Sequence, residues 1–218
     1  MRFDLLSVGR ANLDLYSQDI GADFEDATGF DAMVGGSPTN IAIGVSRLGL
    51  RSTLLSAVGT DRTGDFVLRS LRDEGVDTHL VRRVDGKLTS LALLGVKPPD
   101  DFPLSFYRDD PADIYIDPDI VRGFPFADVR AVQVSGTAFS RGPCAEAAFA
   151  TLELASQAGV PTYVDLDLRP TEWDTPADFG SAIARALPSI DVLIGTEEEF
   201  LAALLQPPDA PLSHDAVP

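Results

Sequence analysis

Five short runs constrain this chain more than anything else in it: "FDLLSVG" (Phe3–Gly9), "STLLSAVG" (Ser52–Gly59), "VRAVQVSG" (Val129–Gly136), "PTYVDLDL" (Pro161–Leu168) and "DVLIG" (Asp191–Gly195). Each carries apolar residues on both faces, which is how a strand reads when its sheet is covered above and below. Segments of helical length lie between them, at about 40–48, from near Asp61 to Gly75, at about 142–158 and 177–187, and from Glu197 onward. Asp61 or Thr63 is the expected N-cap of the second helix, and Gly75 its C′ glycine. Strands alternating with helices predict an α/β fold with a mostly parallel sheet covered on both faces.

Two segments break the rhythm. Residues 13–34 and 88–110 read as strands with no helix between them, and the second holds the Pro98-Pro99 turn. They predict a small separate sheet projecting from the main one; ordinary edge strands are the alternative. The last dozen residues, from Pro207 to Pro218, carry four prolines and little apolar content and read as a disordered tail. One domain over residues 1–206 is therefore expected.

The net charge of −17, from 17 basic and 34 acidic residues, disfavours nucleic acid and anionic membranes as partners, since both require positive patches. An anion site would have to be built locally, from a few arginines and helix N-termini. Cys144 is the single cysteine, which excludes an intrachain disulfide and suits a reducing, cytoplasmic setting. It reads as a helix-face residue without chemistry. With only His79 and His214 besides, a zinc site is not expected.

Two motifs carry chemistry. In "GGSPTN", Gly35 and Gly36 leave the backbone bare enough for a ligand to touch. Asn40 stands where a helix begins, so its amide can cap that helix or bond a polyol. A turn and a cap with no ligand is the plain reading. In "GRANLDLY", Asp14 follows the first strand at its C-terminal end, where open α/β sheets bind ligands, and a carboxylate there accepts sugar hydroxyls well. A solvated turn residue is the alternative. Neither motif is a P-loop or a G-x-G-x-x-G fingerprint, so a Rossmann dehydrogenase is disfavoured.

In their order and spacing, "GRANLDLY", "GGSPTNIAIGVSRLG" and "AVGTDRTGDFVLRSLRDEGVDT" resemble the ribokinase-like (pfkB) carbohydrate kinases over nearly all of residues 1–205. Together with "FPLSFYRDDPAD" and "GTEEEF" they are most similar to the family's kinases of ketodeoxy sugar acids. The resemblance implies a three-layer αβα core with a small β lid over a sugar, with ATP and Mg2+ as cosubstrate and cofactor. It implies that Asp14, Gly35, Gly36 and Asn40 bind the sugar, and that Tyr107, Arg108 and Arg169 meet its carboxylate. Arginine suits that task because its planar fork meets a carboxylate bidentately; a surface ion pair is the plain reading of each. The resemblance further associates Glu199, Thr196 and Asp167 with phosphate and magnesium, Glu199 indirectly with the metal. Thr196 and Asp167 stand where many relatives have asparagine. Three glutamates at a helix start also suit the helix dipole with no ligand. The resemblance also implies a homodimer formed through the lid sheets, which often pair in such kinases.

The family's Gly-Ala-Gly-Asp element, which supplies the catalytic base and an anion hole, has no counterpart after Phe200. No catalytic residue is identifiable, and the C-terminal part of the core is expected to be missing. Three readings follow: a fragment of a longer kinase, a product shortened by a frameshift near Pro207, or a short protein that binds a sugar acid without catalysis.

Overall fold

The computed structural model describes residues 2–99 and 101–205. The stretch 207–218, with His214, lies outside the described residues. Among the described residues, ten strands form two sheets. The larger uses β1 (Leu5–Val8), β4 (Ser52–Gly59), β5 (Val81–Val84), β8 (Val132–Ser135), β9 (Thr162–Asp165) and β10 (Val192–Ile194). Its order is β10-β9-β8-β1-β4-β5, and every pairing is parallel. The smaller uses β2 (Asn12–Ser17), β3 (Phe30–Gly35), β6 (Leu91–Leu94) and β7 (Leu104–Tyr107) in the order β3-β2-β6-β7.

The five expected strands are all present, β4 with the expected bounds and the other four shorter at their ends. The strand not expected is β5, "VRRV", where two arginines hide the signal on an edge strand. β4 is buried along its whole length and splits its side chains between two cores. Leu54 and Val58 join Ala42, Val67, Leu68 and Leu71 on one face, under α1 (Ser37–Arg47) and α2 (Arg62–Asp73). Leu55 and Ala57 join Leu152, Phe179 and Ile183 on the other, under α3 (Pro118–Arg122), α4 (Gly142–Gln157) and α5 (Pro176–Ala186). Successive strand residues point to opposite faces, so near-continuous apolarity and two helical layers are one fact.

The helix ends follow local chemistry. Asp61 caps α2 by accepting the Gly64 N–H at 2.7 Å, and Gly75 closes it with φ of 79°. α1 starts at Ser37, not Asn40, because Pro38 suits a first turn and Gly36 acts as N-cap. Asn40 is the fourth helical residue: its backbone N–H donates to the Gly36 carbonyl at 3.0 Å, and its exposed side chain caps nothing. Cys144 is buried on α4 and burial pushes its thiol up, out of reach of nucleophilic chemistry. His79 stacks on Phe3 and bonds Asp77.

Chain direction decides where a ligand can sit. From β1 the chain crosses to β4 on one side, whereas from β8 it crosses to β9 on the other. The C-terminal ends of β1 and β8 therefore flank the switch point at which parallel sheets open a crevice.

Candidate active site

A cleft of about 640 Å3 opens at that point. One wall is the smaller sheet. The register pairs Asp14 with Ala92, and Ala92 with Phe106, so these three share a face. Tyr16 and Leu94 continue it, two residues on. All five line the cleft. The other wall comes from the larger sheet's C-terminal edge: Asp165 at the end of β9, Asp167 and Arg169 beyond it, and Glu199 in α6 (Glu197–Phe200). Gly36, Ser37 and Asn40 at the start of α1 form the floor.

Gly36 is required by its backbone. Its φ is 105°, and a Cβ there would meet the Arg10 carbonyl oxygen at 2.6 Å. That close approach brings the start of α1 against the strand carrying Asp14. Burial pushes the Asp14 carboxyl up to about 6, although Arg10 and the Asn12 amide, which donates to it, both favour the charged form. Burial likewise raises Asp165, which accepts from the Ser37 hydroxyl.

Asp167 organises the centre. Its carboxylate meets Arg10 Nη2 at 3.3 Å and Arg169 Nη2 at 3.1 Å, and accepts from the Ser135 hydroxyl at 3.0 Å. Its φ is 36°, a conformation aspartate tolerates better than most side chains. Glu199 is anchored: one oxygen accepts the Leu168 N–H at 2.8 Å and the other the Thr196 N–H at 2.8 Å. Thr196 Oγ1 returns a bond from the Glu199 N–H at 3.3 Å, completing a capping box. Thr196 and Glu199 thus tie the end of β10 to the loop after β9.

The structure brings together Asp14, Gly36, Asn40, Asp167, Arg169 and Glu199, with Gly35 directly behind Asp14. It does not bring in Tyr107 or Arg108. Phe106 faces the cleft, so Tyr107 turns to the opposite face of β7. Arg108 is buried between Asp113 and Glu172, which take up its two Nη atoms, and it does not line the cleft. Sequence reasoning missed Arg10, Asn12, Tyr16, Phe106 and Asp165. The i, i+2 spacing from Asp14 signals Asn12 and Tyr16; nothing local signals Phe106, whose side is set by a strand pairing.

Among the described residues no group of three or more His, Cys, Asp or Glu side chains could hold a metal ion. Glu199 already spends both oxygens on backbone amides. A Mg2+ bound directly by these side chains does not fit, and no step is assigned to one.

A parallel sheet covered on both faces, with a smaller sheet walling a polar cleft at its C-terminal edge, defines a ribokinase-like protein. Residues 2–214 match the pfkB family carbohydrate kinase model, and the chain belongs to that family. It is 36% identical over 198 residues to a 5-dehydro-2-deoxygluconokinase of Geobacillus thermodenitrificans, covering 90% of this chain and 59% of the relative. It is 38% identical over 200 residues to 5-dehydro-2-deoxygluconokinase 1 of Bacillus cereus, covering 91% and 60%. The chain thus spans about three fifths of the length of these relatives. Among solved structures, a PfkB protein from Polaromonas sp. JS666 superposes with a TM-score of 0.82 at 28% identity, covering 92% of this chain and 68% of that one. An uncharacterized sugar kinase from Pyrococcus horikoshii in complex with ATP superposes with a TM-score of 0.79 at 25% identity, covering 91% and 65%.

Proposed function

We propose that this chain is the sugar-binding part of an ATP-dependent kinase of a ketodeoxy sugar acid. The favoured reaction converts 5-dehydro-2-deoxy-D-gluconate to its 6-phosphate in myo-inositol catabolism. The observation that carries the reading is the cleft, in which hydroxyl-binding groups, Asp14 and Asn40, face a guanidinium, that of Arg169. The names of the relatives favour this acid over 2-keto-3-deoxygluconate.

On this reading the Asp14 carboxylate accepts sugar hydroxyls, the Asn40 amide bonds another, and Arg169 pairs with the carboxylate. Gly36 lets the ring approach the backbone, while Tyr16, Leu94 and Phe106 shield it from water. ATP would supply the phosphoryl group from the C-terminal ends of β8, β9 and β10, and Mg2+ would travel with its phosphates. Phosphoryl transfer depends mostly on positioning and charge stabilisation, and no base for the acceptor hydroxyl is named in this chain. The reading extends to a cytoplasmic setting and to a homodimer in which the smaller sheets pair, where Phe30 and Tyr107 offer exposed apolar surface on the face away from the cleft.

The test is ATP consumption by the 218-residue chain with each of the two acids, with binding followed in parallel by calorimetry. Turnover selective for 5-dehydro-2-deoxygluconate supports the full reading. Binding without turnover supports a non-catalytic sugar-acid binder or remnant. Failure to bind any sugar acid removes the proposal.

A further inference from the structure

Buried polar atoms without partners mark where a structure is arranged for something it does not hold. Among the described residues, Arg10 Nε and Nη1 and Asn12 Oδ1 are such atoms, and both residues line the cleft. The others, on Ser56, Arg108, Gln133 and Trp173, belong to residues outside it. Arg10 is only 7% exposed and Asn12 only 2%. A guanidinium cannot shed its charge, so burying one is costly unless its N–H groups find acceptors. Here Nη2 reaches Asp167 at 3.3 Å, a carboxylate shared with Arg169, Ser135 and Thr137. The rest of the fork faces the Phe106 ring, whose centroid lies 5.7 Å from Cζ. On Asn12 the amide nitrogen is spent on Asp14 and the oxygen is left over.

These leftovers are complementary to one ligand type. Spare guanidinium N–H groups call for an acceptor, best an anionic one, and a spare amide oxygen beside them calls for a hydroxyl donor. We infer that Arg10 reads the carboxylate of the sugar acid alongside Arg169, with Asn12 Oδ1 accepting the neighbouring hydroxyl. This rests on the sugar-acid reading above, and adds to Arg169 a second, buried anion contact on the first strand's exit, where Arg108 is already paired. Arg10 then decides between acids and neutral sugars, and Asp167 holds it in place between ligands.

The experiment titrates the full chain with three hexonic acids, 5-dehydro-2-deoxygluconate, 2-keto-3-deoxygluconate and gluconate, and with the neutral carboxamide of each. Variants are Arg10→Lys, Arg10→Gln, and Arg10→Gln combined with Asp167→Asn, which removes the carboxylate that Arg10→Gln would strand; melting is followed for all. Expected are a wild-type preference for an acid over its carboxamide and a loss of roughly 10- to 100-fold on the acid in Arg10→Gln, the size of a charge-assisted bond. The carboxamide should change little, and Arg10→Lys should fall between. The double variant must show the same loss of preference while melting near wild type. If Arg10→Gln weakens acid and carboxamide alike, or neither, Arg10 is only the counter-ion of Asp167 and the inference fails while the sugar-acid reading stands. If an acid other than the favoured one shows the Arg10-dependent preference, the inference stands and the substrate assignment falls. If no acid binds more tightly than its carboxamide, both fall.

Discussion

Gly35 and Asp14 compete for the same space: a Cβ on Gly35 would overlap the Asp14 carboxylate, its diagonal neighbour across the β2–β3 pairing. The atoms met are the end of a side chain, which can swing away where a backbone could not. Gly35→Ala is therefore expected to leave melting within a few degrees of wild type but to turn Asp14 from the cleft. Sugar-acid affinity should fall about 10- to 100-fold, the value of one or two hydrogen bonds to a charged group. Calorimetry alongside a melt separates the two effects; a large melting loss with unchanged affinity contradicts the geometry.

The raised Asp14 carboxyl gives a pH signature. Its ordinary value is near ~4, and burial pushes it up to about 6 in the fold. Between those values the folded chain holds a proton that the unfolded chain has lost. On this group's account stability is fully present below ~4, falls as pH rises through about 6, and then levels off. The ionised form accepts hydroxyls best, so sugar binding should strengthen over the same interval. Titrations at steps across it should show the rise, and Asp14→Asn should flatten it.

Arg108 and Arg169 should fail in opposite ways. Arg108→Met leaves Asp113 and Glu172 as buried carboxylates without their main cation, a loss of ~3–5 kcal/mol and roughly 10 °C in melting. Arg169 is half exposed, so Arg169→Met should cost under ~1 kcal/mol, yet weaken sugar-acid binding. Denaturant melts and calorimetry on both variants decide it; equal stability losses would count against the assignment.

Glu199→Ala removes the acceptor of the Leu168 and Thr196 amides and should cost ~1–2 kcal/mol. Amide exchange should quicken at Leu168 and Thr196 first. Exchange unchanged at both would show that the capping box does not hold these segments.

Much of this was legible in the sequence because it is local. Continuous apolarity marks β1, β4, β8 and β9 as buried on both faces, and Asp61 and Gly75 bracket α2 through bonds spanning only a few residues. Asp14, Gly36 and Asn40 were legible as candidates, and the fold places all three in the cleft, because a bare turn and a carboxylate at a strand exit are unusual wherever they occur. β5 was not legible, because an edge strand can carry arginines without burying them.

The chain's own order of residues determined most of its elements, its parallel main sheet, the existence of a second sheet and the neighbourhood of the cleft. Only the tertiary structure decided which of Arg10 and Arg108 faces that cleft. The sequence pointed to Arg108 and passed over Arg10. Arg108 is withdrawn by Glu172, 64 positions along the chain, while Arg10 is carried to the cleft by the exit of the central strand. Charge alone cannot distinguish them: a guanidinium's role depends on which carboxylates reach it first, and that is fixed by packing between distant segments.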